Sequence, residues 1–154
     1  MDRDRAYKEE DLMSLIKMFV ASTGAATVSA EIDVPADGFI TSVVLEAYVS
    51  DTTLVSEAGQ QLHSELSFMA TDTFDGGHDS RGVLLMCNPV GVILTSGGCH
   101  IGKTNYLTGV KIKVYAGERL YLHIKESAAA QSAAAYALVY IDDKDSARPA
   151  ARRR

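Results

Sequence analysis

From Thr108 to Lys125 the chain is written in two-residue steps. Val110, Ile112 and Val114 alternate with Lys111, Lys113 and Tyr115, then Ala116-Gly117-Glu118 intervenes, then Leu120, Leu122 and Ile124 alternate with Tyr121, His123 and Lys125. Successive side chains of an extended strand point to opposite faces, so this pattern dictates strands with one face buried and one wet. That is the signature of antiparallel sheets.

The remaining segments extend the same grammar. Ala26–Ile32, Phe39–Ser50, Gln61–Thr71, Gly82–Cys87, Gly91–Thr95 and Ala135–Ile141 are rich in Val, Ile, Leu, Tyr and Thr and are separated by turn chemistry such as Val34-Pro35-Ala36-Asp37-Gly38. Phe39–Ser50 is apolar on both sides around Val43-Val44-Leu45, as in a strand covered on both faces. Ser127–Ala135 is Ala-rich and is read as a loop or one helical turn. No helical pattern alternates with the strands, which excludes a parallel α/β sheet. The expected fold is all-β: an antiparallel β-sandwich of the jelly-roll kind, spanning 25–143.

One segment reads differently. Over 9–20, Leu12, Leu15, Ile16 and Phe19 fall at i, i+3, i+4 and i+7, with Glu9, Glu10 and Asp11 in what would be the first turn. The spacing predicts a short amphipathic helix within an N-terminal arm, 1–24. Its apolar stripe is expected either to pack on the domain or to dock on a neighbouring subunit, since so short a helix is marginal alone.

The charge is uneven. The chain has 154 residues and a net charge of −5, yet residues 144–154 hold Lys144, Arg148, Arg152, Arg153 and Arg154 against a single Asp145. The body is therefore strongly acidic and unsuited to nucleic acid. The basic end, 144–154, is expected to be a flexible tail with Arg152, Arg153 and Arg154 free to touch an acidic partner. No apolar run approaches ~18 residues, so no helical membrane span is expected. Lys17 breaks the only early apolar stretch, so no secretory signal is expected and Cys87 and Cys99 should remain reduced, although a cross-strand disulfide between them is conceivable.

Residues 97–104, Gly-Gly-Cys-His-Ile-Gly-Lys-Thr, match the phosphate-loop pattern G-x-x-x-x-G-K-[ST]. A working phosphate loop opens a helix at Gly-Lys-Thr, whose N-terminus holds the phosphates. Here Asn105–Gly109 and an alternating strand follow instead, so a nucleotide hydrolase using Lys103 and Thr104 is the least favoured function. Asp72, Asp75, His78 and Asp79 crowd one loop but lack the late bidentate Glu of a calcium loop. His63, His78, His100 and His123 show no zinc-ligand spacing. No catalytic residue, cofactor or metal is expected. Tyr115, Tyr121, Tyr136 and Tyr140 on the late strands, with the 72–82 loop, could instead form a carbohydrate-binding face, although the chain has no Trp for stacking on sugars.

Two stretches carry a family likeness. Val34-Pro35-Ala36-Asp37-Gly38-Phe39-Ile40 with Val43-Val44-Leu45 resembles the opening strand of β-sandwich virion proteins of tailed phages. Ala116–Ile124, an Ala/Ser loop and Ala137–Ile141 resemble their closing hairpin, which also occurs in trimeric jelly rolls of the tumour-necrosis-factor and C1q type. The resemblance implies a non-enzymatic capsid decoration (cement) protein or a small fibre head, assembled as a homotrimer on the major capsid protein or other virion subunits and made in the host cytoplasm. Leu12, Leu15, Ile16 and Phe19, with Arg152–Arg154, are the partner-binding residues expected from that reading.

Overall fold

The computed structural model describes residues 13–22, 27–51, 60–73, 82–91, 99–126 and 132–143. They form nine strands and no helix: β1 (Met13–Ser22), β2 (Val28–Asp33), β3 (Gly38–Asp51), β4 (Gln60–Ser67), β5 (Val83–Met86), β6 (Val90–Gly91), β7 (Cys99–Val114), β8 (Arg119–Glu126) and β9 (Ser132–Asp142). One sheet has the order β1-β9-β3-β7 and the other β2-β8-β4-β5, with β6 also on β4. Every pairing is antiparallel. The sheets share one core, in which Ile40, Val43, Leu45, Val139 and Ile141 of the first face Leu62, Leu66, Leu120, Leu122 and Ile124 of the second. The expected antiparallel β-sandwich is therefore present.

The expected helix is not. Met13–Ser22 is an edge strand in register with β9, from Met13 opposite Asp142 to Ser22 opposite Ala133. Ile16, Met18 and Val20 are buried, while Leu15, Lys17 and Phe19 point outward. Both faces of this strand carry apolar residues, and that mixture imitates a helical stripe. β-Branched Ile16 and Val20 and aromatic Phe19 suit a strand, and the long ladder on β9 supplies what local propensity does not. The segment is thus part of the sandwich and not an arm over 13–22. Leu12, the start of the expected helix and the 144–154 tail lie outside the described residues.

The alternation holds for Val114, Leu120, Leu122 and Ile124, which are buried, and for Lys111, Lys113 and Tyr115, which are exposed; Val110 and Ile112 are half-buried, and His123 is buried against expectation. The strands do not pair with each other, and β8 and β9 also lie in different sheets, so the expected closing hairpin is a pair of crossings between sheets. The turn at Tyr115–Glu118 makes the first crossing. Gly117 sits there at φ +89°, a conformation that costs Gly nothing. The Glu118 amide donates to the Tyr115 carbonyl and the Glu118 carboxylate accepts from the Tyr115 amide, both at 3.1 Å. The Gly117 amide donates to the Val34 carbonyl at 2.9 Å, and the Val34 amide donates to the Glu118 carbonyl at 2.7 Å. The 34–38 turn cluster, which carries the chain from β2 to β3 in the other sheet, is thereby clipped to the 115–118 crossing.

β7 begins earlier than its alternation suggests. Residues 99–108 continue as strand against β3, and the ladder is irregular where Thr41 lies between the Ile40–Ile112 and Ser42–Thr108 pairs. Gly109, at φ +69°, sits in that irregularity. Ser132–Ala135, expected as loop or helical turn, belongs to β9, where Ala133 and Ala135 are buried and leave room for closely packed neighbours.

Candidate interaction surface

The ladder registers place a continuous set of side chains on the outer face of the β1-β9-β3-β7 sheet. Residues directly opposite on antiparallel strands share a face. Leu15 lies opposite Tyr140, Lys17 opposite Leu138, Phe19 opposite Tyr136 and Ala21 opposite Ala134. On the far side of β9, Tyr140, Leu138, Tyr136 and Ala134 meet Ser42, Val44, Glu46 and Tyr48 of β3. Val44 in turn meets Tyr106 of β7. Across four strands this face carries one cation, Lys17, and one anion, Glu46, in its central rows. Tyr106 is 65% exposed, Phe19 51%, Leu15 43% and Tyr136 41%. Large apolar side chains gathered like this on an exposed face mark an interaction surface.

The centre of the face is ordered by its rings. Phe19 and Tyr136 lie 4.7 Å apart between centroids, and Tyr48 and Tyr136 lie 5.8 Å apart. Both pairs are tilted, in the range where aromatic contacts are favourable. The Tyr48 hydroxyl donates to the Tyr136 hydroxyl at 3.1 Å. That hydrogen bond, with partial burial and the neighbouring Glu46 charge, pushes the Tyr48 phenol up to about 12. One end of the sheet is cationic instead: the Lys111 and Lys113 ammonium groups lie 4.5 and 4.8 Å from the Phe39 ring centroid.

The opposite sheet presents a different surface. His123, Glu65 and Ser67 lie on its outward side yet are fully buried, and residues 68–73 reach back to them through Met69 and Thr73. His123 Nε2 lies 2.8 Å from the Met69 carbonyl and Nδ1 lies 2.5 Å from Ser29 Oγ. The Glu65 carboxylate accepts from the Thr73 amide at 3.2 Å and from the Thr73 hydroxyl at 2.5 Å. Tyr121 stacks parallel to the imidazole. The strict alternation placed His123 on the wet side; a crossing loop dries it.

The remaining candidate positions separate. Leu15 and Phe19 are on the outer face, but Ile16 is 4% exposed and turned into the core, so it cannot meet a partner directly. The helix-based grouping of these three fails because a strand sends neighbours to opposite sides. Arg152, Arg153 and Arg154 lie outside the described residues. Thr104 and Lys103 stand in β7, paired with Glu46 and Ala47, so no helix begins at the phosphate-loop pattern. Cys87 is a free thiol, buried and pushed up in pKa by that burial, with its Sγ 3.2 Å from the Lys103 carbonyl. Among the described residues no group of His, Cys, Asp and Glu is arranged to hold a metal, and no helix is long and apolar enough to cross a membrane. His78, Asp75 and Asp79 lie outside the described residues. Tyr140 and Tyr136 share the outer face, whereas Tyr121 is on the other sheet and Tyr115 follows the end of β7. Sequence reading missed Tyr48 and Tyr106; for Tyr48 the signal was the two-sided apolar character of β3, whose second side is this surface, whereas Tyr106 stands in the part of β7 that precedes the alternation.

No family model matches the chain, and no curated protein matches it. Solved structures with some likeness include latent PorU from Porphyromonas gingivalis, at TM-score 0.45 and 7% identity over 86% of this chain and 13% of that one. The Gt strain of infectious bursal disease virus aligns at TM-score 0.43 and 17% identity over 88% of this chain and 33% of that one. A carbohydrate-binding module of Cellvibrio mixtus lichenase 5A aligns at TM-score 0.32 and 15% identity over 76% of this chain and 72% of that one. This chain thus spans a third or less of the first two proteins.

Proposed function

We propose that this protein is a structural virion component of the capsid-decoration type, which works by laying the outer β1-β9-β3-β7 face on a larger protein shell. The observation that carries the reading is the aromatic face itself. Phe19, Tyr136 and Tyr48 are packed into an ordered cluster that the chain leaves uncovered among its described residues. Aromatic side chains are enriched among the few residues that dominate interface energy, and pre-ordering them lowers the entropic cost of docking. The strand order supports the jelly-roll form of the sandwich: with β5 and β6 counted as one strand, the two sheets interleave as two Greek keys, an architecture shared by capsid and lectin domains. The resemblance of 34–45 and 116–141 to phage virion strands points the same way.

Mass spectrometry of purified particles tests the proposal. The chain should be found at a fixed ratio to the main shell protein, and a Phe19→Asp, Tyr106→Asp variant should be produced but absent from particles. A chain abundant in the lysate and missing from particles would overturn it. The second reading is carbohydrate binding, favoured by Tyr106, the most exposed ring on the face. Reproducible binding to one sugar class on a glycan array, lost with Tyr106→Ala, would favour that reading.

A further inference from the structure

We propose that two copies of this chain pair through β1, antiparallel about a two-fold axis at Met18, and so join their outer faces into one eight-stranded sheet. The proposal stands apart from what that face binds.

The four sheet edges are unequal. β7 exposes Lys103, Lys111 and Lys113 and its ladder is irregular at Gly109. β2 is six residues long and exposes Glu31 and Asp33, and β5 has four residues. Charges, bulges and short length are the devices that keep an edge from pairing. β1 has the fewest of them: it runs ten residues, has a regular register on β9, and carries a single charge, Lys17. Among the described residues no strand pairs with its other side.

The sequence of β1 then selects the register. Odd-numbered residues face out and even-numbered residues face in. Directly opposed residues share a face, so outer must meet outer, and the axis has to pass through a residue and not between two. Two such axes use nearly the whole strand. An axis at Lys17 pairs 13–21 with itself but sets Lys17 against the copy's Lys17, a like-charge pair. An axis at Met18 pairs 14–22 with itself and sets Lys17 against the copy's Phe19, Leu15 against Ala21 and Ile16 against Val20. The two-fold repeats each contact, giving two cation–ring pairs and a self-complementary strip of apolar side chains. A second copy is therefore the occupant this edge fits.

Light scattering after gel filtration reads the result. The unmodified chain should run at twice its 16.5 kDa mass. Phe19→Lys places a cation opposite Lys17 and should halve that mass at the same concentration. Lys17→Glu combined with Phe19→Lys should restore it, because each new carboxylate then faces a new ammonium. Circular dichroism of each variant should match the unmodified chain, since both positions are exposed. Should either variant misfold, oxidative cross-linking decides: Leu15→Cys with Ala21→Cys should give a covalent dimer and Lys17→Cys should not, with the unmodified chain as the control for Cys87 and Cys99. A monomer, a trimer, a dimer indifferent to Phe19→Lys, a dimer not restored by the charge exchange, or a cross-link at Lys17→Cys would each overturn the proposal.

Discussion

Tyr48 gives its hydroxyl hydrogen to Tyr136 at 3.1 Å, on the open face of the β1-β9-β3-β7 sheet. Folded Tyr48 therefore holds its proton to about 12, where a free tyrosine releases it near 10. The unfolded chain loses that proton first, so this contribution to stability is full below pH ~10 and is lost as pH rises towards ~12. In an ultraviolet titration of tyrosinate, Tyr136→Phe should move the latest-titrating tyrosine down towards the free value. A titration unchanged by the substitution would show that the pair does not hold the proton.

Neighbours in β1 should behave as opposites. Ile16→Ala removes a buried side chain and should cost about 2–5 kcal/mol in urea unfolding. Leu15→Ala removes an exposed one and should stay within about 0.5 kcal/mol. A helix with one apolar stripe would make the two costs similar, so equal losses would contradict the strand.

Ser29 and His123 form a second testable pair. The Met69 carbonyl can only accept, so Nε2 carries the ring hydrogen and, in the neutral imidazole, Nδ1 accepts from Ser29. Ser29→Ala leaves that buried nitrogen unpaired and should cost about 1–3 kcal/mol. Ser29→Thr keeps the hydroxyl on an edge strand and should recover most of the loss. Chemical denaturation of the three proteins would show it, and equal stability would mean the hydroxyl makes no net contribution.

Gly38 is required by a close approach of backbone. A methyl group there would stand 2.7 Å from the Asp142 carbonyl oxygen and 2.9 Å from Ile141 Cγ2. The carbonyl belongs to the neighbouring strand and cannot move alone, so Gly38→Ala should destabilise by about 1–3 kcal/mol. Thermal unfolding followed by circular dichroism provides the check.

What was legible in the sequence was periodicity. The alternation from Val110 to Lys125 marked the end of β7 and all of β8 as strand and gave the inward side of β8, because a period of two needs no partner to be read. The two-sided apolar run of β3 was legible too, although its outer side proved to be a surface and not a second core. β1 was misread because Leu15 and Phe19 serve one face while Ile16 serves the other, and a string of residues does not record which side is covered.

Residue order alone determined an antiparallel β domain, the turns at 34–38 and 115–118 and the inward set Leu120, Leu122 and Ile124. The tertiary structure decided that β1 is a strand, that His123 is dry, and that Phe19, Tyr48, Tyr106 and Tyr136 lie on one face. Each of those outcomes depends on segments far apart in the chain, such as Phe19 against Tyr136 and Ser29 against His123. Local preference is worth tenths of a kcal/mol per residue, whereas a ladder of hydrogen bonds with a buried face is worth far more, so long-range pairing overrules it.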